Sequence, residues 1–144
     1  MIISNQTCFV DTNVIVYAAD TDSPFYVDCR QLIKQGIKCE VSLCVSPQVL
    51  FEFLAVITSP KRVVKPLKLD KAINEINKYL GYKNIKKIYP KNDIIKKTLE
   101  LCKKYNIKGQ EIFDVQIIAT MLSNDVTKIY TYDKNHFERF KEKE

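Results

Sequence analysis

Four acidic residues of this sequence could together bind a metal ion: Asp11, Glu52, Asp114 and Asp133. Carboxylates that converge on one place repel one another, and their pKa values rise unless a cation lies between them. A set of carboxylates with no His or Cys beside it prefers a hard ion, Mg²⁺ or Mn²⁺, over zinc. This chemistry requires that the fold bring the four side chains together.

Two of these acids occupy positions where a solvated carboxylate is unexpected. Asp11 lies in the apolar run TCFVDTNVIV, where an ionised group is costly unless it is paired, hydrogen-bonded or bound to a metal. Asp114 shares a helical stripe with Ile117, Ile118 and Met121, so its side chain should project from a buried face. Both positions favour a functional role.

Glu52 carries a weaker signal. It is the only charged residue between positions 41 and 60, in a sequence that is 28% charged. On a helical wheel it lies at the margin of the apolar arc, near Gln48. An ordinary exposed Glu therefore remains an alternative at this position.

Alternating helix and strand signals predict an α/β fold. The pairs Ser23-Pro24 and Ser46-Pro47 mark helix starts, and Asp70 and Asp93 are candidate N-caps of two amphipathic helices. Residues 37–45 alternate between apolar and more polar side chains, which predicts a strand. Helices are predicted at 12–19, 24–36, 47–59, 71–81, 94–108 and 111–122, strands at 7–10, 37–45, 86–90 and 128–132, and a polar loop at 133–137.

The order of these elements gives Asp11 and Asp133 a common location. Strands separated by helices predict a short parallel sheet with helices on both faces, within one domain spanning residues 1–144. Asp11 directly follows the first predicted strand, and Asp133 follows the last. Because open α/β sheets bind ligands at the carboxyl ends of their strands, we expect both carboxylates at that edge.

The net charge of +6 is unevenly distributed along the chain. Residues 61–108 contain fifteen Lys and Arg against four Asp and Glu, and the remaining residues have a net charge of −5. One interpretation is a set of lysine-rich helices with solvated faces. The other is a surface that attracts polyanions such as nucleic acids, on which we expect Lys86 and Lys87 to contact phosphates.

Composition excludes several classes of protein. The 144 residues are 46% hydrophobic, which is typical of a globular domain. No apolar stretch approaches the roughly 18 residues of a membrane span, and the N-terminus does not resemble a signal peptide, so we expect a cytoplasmic protein. The lone His136 is predicted to be a loop residue. An odd number of cysteines without a C-x-x-C pair predicts reduced core thiols at Cys8, Cys29, Cys39, Cys44 and Cys102.

Four segments resemble, in order, the acidic blocks of the PIN-domain ribonucleases, and in particular the VapC-like toxins of toxin–antitoxin pairs: FVDTNVIVYAAD, SPQVLFEFLAVITSPKR, EIFDVQIIATML and IYTYDKNHFERF. The order of the blocks and the nineteen-residue step from Asp114 to Asp133 make the set more specific than any one block. The chain departs from the family at Tyr132, where an Arg is frequent before the last acid.

The resemblance implies roles for residues around these blocks. The four acids would bind the metal, Asn13 would be a polar helper beside the first acid, and Thr131 and Asn135 would flank the last. The chain also departs from the family pattern at Glu111, one helical turn before Asp114, which could add a further acid. The family also implies a homodimer and an antitoxin that blocks the acidic cleft with a basic side chain.

The implied reaction is hydrolysis of an RNA phosphodiester by an endoribonuclease that depends on Mg²⁺ or Mn²⁺. Bound metal ions lower the pKa of a water molecule and polarise the phosphoryl oxygen, so no side-chain nucleophile is required. The sequence agrees, since it contains no Gly-x-Ser-x-Gly motif and no Gly-rich phosphate loop. Single-stranded RNA or RNA loops would suit an open cleft.

Three alternatives remain at this stage. The chain could be an RNA-processing PIN nuclease without a toxin role, or a PIN scaffold that binds RNA or protein without cutting, although the presence of all four acids argues against the scaffold. A receiver-type phosphoacceptor domain also combines acids with Mg²⁺ on a parallel sheet. It needs an acidic pair after the first strand and a Lys after the last, where this chain has Asp11 alone and Tyr132-Asp133.

Overall fold

The computed structural model of the chain describes residues 6–138 and 140, apart from the side chain of His136. The strands are Cys8–Val10 (β1), Leu43–Val45 (β2), Ile85–Lys87 (β3) and Lys128–Tyr130 (β4). The helices are Thr12–Ala19 (α1), Tyr26–Ile37 (α2), Pro47–Ile57 (α3), Leu69–Gly81 (α4), Ile94–Tyr105 (α5), Ile112–Ser123 (α6) and Lys134–Glu138 (α7), with a 3₁₀ turn at Gly109–Glu111 before α6.

The strands form one parallel sheet in the order β3-β2-β1-β4. The chain moves from β1 to β2 and β3 in one direction and then crosses back over the sheet to β4. Right-handed crossovers therefore place α1–α4 on one face and α5 and α6 on the other. The predicted fold, a short parallel sheet with helices on both faces, is confirmed.

The core lies where the helices cover the sheet. Phe9, Leu43 and Ile85 of three neighbouring strands are at most 1% exposed, and Phe53 of α3 and Val115 of α6 are fully buried. A sheet that is covered on both faces favours continuous apolar strands over alternating ones, which is the pattern of β1 and β2. Burying one such large side chain stabilises the fold by about 1.5–3 kcal/mol.

The predicted strand at 37–45 is wrong over residues 37–42, because α2 extends to Ile37 and the chain then turns. Cys39 has a left-handed φ of 62°, and the N–H of Glu40 donates to the carbonyl of Gln35 at 2.8 Å, which closes the helix. Cys39 is consequently exposed and is not a core thiol, although all five cysteines are free as predicted.

Gly36 permits the close approach of α2 to the sheet. A Cβ atom at this position would lie 2.5 Å from Cδ1 of Leu43, closer than van der Waals contact allows. The sequence pattern predicted that Gly36 ends the helix. Instead, α2 extends one residue further, to Ile37.

Further local predictions differ from the structure. Helix α2 begins at Tyr26, after a turn that starts at Ser23. Helix α4 begins at Leu69 with Lys68 as its N-cap, so Asp70 lies within the first turn. The predicted polar loop after β4 contains the short helix α7. Within the described residues, no helix combines the length and apolar character needed to cross a membrane.

Candidate active site

Asp11 connects strands β1 and β4 with the first helix. It directly follows β1 and is the N-cap of α1, where its Oδ1 accepts the N–H of Thr12 at 2.8 Å. Its Oδ2 accepts the hydroxyl of Thr131 at 2.7 Å, and its own N–H donates to the carbonyl of Tyr130 at 3.0 Å. These bonds fix a carboxylate that is only 7% exposed at the carboxyl end of the sheet.

The segment after β4 is attached to the same place. The Thr131 hydroxyl that donates to Asp11 also accepts the N–H of Asp133 at 2.9 Å. The N–H of Tyr132 lies 3.4 Å from the Oδ1 of Asn13 on the first turn of α1. One threonine and one asparagine thus hold the last predicted acid beside the first. The strand order reverses between β1 and β4, and such switch points are where α/β sheets form crevices.

Glu52 and Asp114 approach this place from opposite faces of the sheet, on α3 and α6. The amide Nε2 of Gln48 donates both to Oε1 of Glu52 at 3.0 Å and to the carbonyl of Phe113 at 3.1 Å. Gln48 therefore links α3 to the start of α6, next to Asp114. Asp114 is half-buried, as its helical stripe predicted, whereas Glu52 is exposed.

All four predicted acids line one cleft of about 470 Å³, which we call the acidic cleft. The cleft is lined further by Thr12, Asn13, Val16, Tyr17, Ala55, Val56 and Arg62. Residues that are separated by more than one hundred positions in the chain therefore form one site.

The electrostatics of the acidic cleft depend most on the burial of Asp11. The pKa of Asp11 is raised to about 6, chiefly by burial and to a smaller extent by the nearby charges of Glu52 and Asp133, while the hydrogen bonds from Thr131 and Thr12 lower it. The ionised form of Asp11 is therefore disfavoured both by desolvation and by repulsion from the neighbouring carboxylates. A bound cation would relieve the repulsion.

The residues of the acidic cleft fit a hard divalent ion. Every acid in the set offers oxygen ligands, and the buried hydroxyl of Thr12 lacks a hydrogen-bond partner within the described part of the chain. Among the described residues, no three His, Cys, Asp or Glu side chains are already grouped closely enough to hold an ion. Because Glu52 and Asp133 are exposed, their side chains can move toward an ion without disturbing the core.

The residues predicted to assist the acids have different positions. Asn13 lines the acidic cleft, and Thr131 supports it through Asp11. Asn135 is exposed on α7, and Glu111 ends the 3₁₀ turn before α6; neither is among the residues that line the cleft. His136 lies on α7 and not in a loop, and its side chain is outside the described structure.

Lys86 and Lys87, the pair predicted to contact RNA, lie on β3 and do not line the acidic cleft. The Nζ of Lys87 donates to the carbonyls of Tyr82 and Ile85 at 2.6 and 2.7 Å, so it stabilises the turn before β3. The Nζ of Lys86 lies 3.4 Å from Oγ1 of Thr7, which precedes β1. Lys86 therefore points toward the amino ends of the strands.

Arg62 was not predicted from the sequence, yet it lines the acidic cleft. Its N–H and that of Val63 donate to the carbonyl of Ser59, and the buried side chain of Val63 anchors the loop between α3 and α4. The only available signal was the PKR tripeptide that ends the second acidic block. Spacing alone could not show that this loop folds back over the cleft.

Comparison with known families gives one clear result. The sequence pattern of the PIN domain matches residues 8–143. The chain belongs to the PIN-domain family. No curated protein matches the sequence.

Solved structures of PIN-domain toxins share the fold of this chain. VapC20 of Mycobacterium tuberculosis, described as a toxin that cleaves the sarcin–ricin loop, has a TM-score of 0.69 at 13% identity over 92% of this chain and 94% of its own. VapBC2 of Rickettsia felis, solved with a DNA fragment of its promoter, has a TM-score of 0.64 at 18% identity over 93% and 92%. A toxin–antitoxin complex of Klebsiella pneumoniae has a TM-score of 0.55 at 17% identity over 90% and 89%. This PIN domain therefore has a VapC-like fold.

Proposed function

We propose that this PIN domain is a metal-dependent endoribonuclease that hydrolyses RNA phosphodiester bonds at the acidic cleft. The observation that carries the proposal is the convergence of Asp11, Glu52, Asp114 and Asp133 on one cleft at the switch point of the sheet. An all-oxygen donor set selects Mg²⁺ or Mn²⁺. Such ions supply an activated water nucleophile and neutralise charge on the phosphoryl oxygens.

The protein groups would have distinct roles in this reaction. Asp11, fixed by Thr12 and Thr131, would be the rigid ligand, and its pKa of about 6 leaves it mostly ionised at neutral pH. Glu52 and Asp133 would complete the ligand set from more exposed positions, together with Asp114. Arg62 is the one Lys or Arg among the described lining residues, and its guanidinium can bind a phosphate oxygen that faces the acids.

A toxin role is the more specific part of the proposal. It is supported by the VapC-like fold, since the similar structures include a toxin described as cleaving the sarcin–ricin loop and two complexes of toxin and antitoxin type. An antitoxin with a basic side chain would be complementary to the four carboxylates of the acidic cleft. A cytoplasmic homodimer that acts on single-stranded RNA or RNA loops would agree with this role.

The test is cleavage of single-stranded RNA by purified protein with Mg²⁺, with Mn²⁺ and with excess EDTA. We expect cutting with either metal, no cutting in EDTA, and recovery when Mn²⁺ is added back. Full activity in chelator would contradict the proposal. RNA binding without turnover in either metal would favour the alternative of a PIN scaffold that does not cut.

A further inference from the structure

A second groove lies beside the acidic cleft, between α3 and the start of α6. Its volume is about 720 Å³, larger than that of the acidic cleft, and we call it the aromatic groove. Phe51 of α3 is 70% exposed and Phe113 of α6 is 54% exposed, and both rings line it together with Pro47 and Pro90. Two aromatic rings left in solvent near a proposed active site need a physical reason, because their exposure contributes nothing to folding.

The aromatic groove is continuous with the acidic cleft. Glu52, Ala55 and Asp114 line both. A flexible polymer whose phosphate lies at the acids therefore meets this groove at the next unit along its chain. The Gln48 amide that joins Glu52 to the Phe113 carbonyl fixes the two walls relative to each other.

The polarity of the aromatic groove distinguishes bases from phosphates. Of the described residues that line it, none is Lys or Arg, and the only charged ones are Glu52 and Asp114. A phosphate would be repelled there, whereas an uncharged base could stack on a ring. The amides of Gln110 and Gln116 have no side-chain partner among the described residues and line the same groove, so they can hydrogen-bond to base edges.

We propose that the aromatic groove binds the nucleobases of single-stranded RNA next to the phosphate that is held at the acidic cleft, with Phe51 and Phe113 as stacking partners. This inference rests on the proposed function, since it names where the substrate's bases lie. Stacking is tolerant of sequence because every base has a π face, and Gln110 and Gln116 would add preference among bases.

The first experiment uses an engineered fluorescent reporter. The chain contains no Trp, so Phe51→Trp introduces a single indole on the groove wall. In stopped-flow mixing with Mg²⁺, read before cleavage proceeds, we expect a twelve-residue oligoadenylate to quench this indole, and an abasic ribose-phosphate oligomer of equal length and charge to leave it unchanged. Ile95→Trp is the matched control, because Ile95 is 72% exposed on α5 and does not line the groove.

The second experiment measures affinity by titrating labelled oligomers into unmodified protein and into Phe51→Ala, Phe113→Ala and Ile95→Ala. Loss of a stacking ring should weaken binding of oligoadenylate about tenfold, since stacking on one ring is worth on the order of 1–3 kcal/mol per base. Binding of the abasic oligomer should not change. Ile95→Ala should bind both oligomers as the parent does.

Different results overturn this inference and the proposed function. If the parent protein cuts RNA but binds oligoadenylate and the abasic oligomer equally, the groove does not hold bases and only this inference is wrong. If Phe51→Ala converts a dimer to a monomer in sedimentation while base-dependent binding is unchanged, the rings form an interface between copies and the inference is again wrong. If the parent neither binds nor cuts any RNA, both are wrong.

Discussion

The two ends of the parallel sheet carry opposite chemistry. At the carboxyl end, Asp11 and Asp133 follow β1 and β4 and share the hydroxyl of Thr131. At the amino end, the ammonium of Lys86 lies beside Thr7, four residues before Asp11. Since a strand rises about 3.3 Å per residue, roughly 13 Å separates these positions along β1. Although residues 61–108 are rich in lysine, no lysine of the described residues lines the acidic cleft.

If the protein binds RNA as proposed, this difference separates two sources of its RNA affinity. Lysines away from the cleft can attract phosphates over a distance of about one Debye length, but they cannot contact the phosphate that is cut. Under the proposed function, metal ions at the acidic cleft would neutralise the carboxylates before a polyanion binds there. The comparison therefore predicts that changes at the carboxyl end alter the rate of cleavage, whereas changes at the amino end alter affinity or stability.

The largest expected effect is at Asp114. Asp114→Asn keeps the shape of the side chain and removes its charge, so kcat/KM for RNA should fall by more than about 100-fold, since losing groups that merely orient ligands already costs 10–100-fold. The melting temperature should stay constant or rise, because repulsion among the acids is relieved. Cleavage assays and thermal melts measure both.

Asp125→Asn is the matched control at the amino end. Asp125 has a left-handed φ of 58°, which Asn tolerates well, and it lines a small pocket with Lys86 and Thr7. The same change of charge there should leave kcat/KM nearly unaltered. If Asp114→Asn unfolds the chain, Asp114 has a structural role, and if both variants lose activity equally, the contrast between the two ends is wrong.

A smaller effect concerns the ionisation of Asp11. Its pKa of about 6 in the folded state lies above the ordinary value of 3.8, so the folded protein binds the proton more tightly than the unfolded chain. Stability contributed by the protonated form is therefore lost as pH rises from about 4 to about 6. In EDTA, the free energy of unfolding of Asp11→Asn should gain about 2 kcal/mol relative to the parent between pH 4 and pH 7.

Urea denaturation at several pH values measures this difference. Asp20→Asn, a change of charge at the half-buried C-cap of α1, is the control for removal of a carboxylate charge elsewhere. Saturating Mn²⁺ should reduce the pH dependence of the parent, because the ion competes with the proton. A constant difference for Asp11→Asn would mean that the folded protein does not hold Asp11 at an elevated pKa.

The smallest effects should distinguish the two neighbouring lysines of β3. Lys87→Met removes the hydrogen bonds to the carbonyls of Tyr82 and Ile85, so stability should fall by about 1–3 kcal/mol. Lys86→Met should leave stability nearly unchanged and raise the KM for RNA at low salt without changing kcat. Denaturant titrations and initial rates at several salt concentrations measure these effects.

The salt dependence tests the original prediction for this pair. If Lys86 contacts a phosphate, the log–log slope of RNA binding against salt should become shallower by roughly 0.7 in Lys86→Met. An unchanged slope and an unchanged KM would show that the lysine-rich segment near β3 is a solvated surface. Equal loss of stability in both variants would contradict the separate roles seen for the two ammonium groups.

Local sequence signals predicted those parts of the fold that depend on near neighbours. The extents of α1, α3 and α6 follow from apolar periodicity together with the Pro47 start signal, and the structure agrees to within about two residues. The alternation at residues 37–45 led to a wrong strand prediction, because Cys39 adopts a positive φ where α2 ends. A positive φ is typical of Gly and is seldom predictable from any other residue type. Helix α7 was missed because its polar residues lack an apolar stripe.

By itself, the sequence determined which side chains could do the chemistry. Carboxylates placed in apolar segments, as at Asp11 and Asp114, are costly enough that composition and spacing reveal them. Only the tertiary structure decided which groups meet: it brought Arg62 to the acids, placed Lys86 at the other end of the sheet and left Phe51 and Phe113 exposed around one groove. The physical reason is that burial cost acts on each residue separately, whereas proximity depends on strand order and on the paths of loops, which no local pattern encodes.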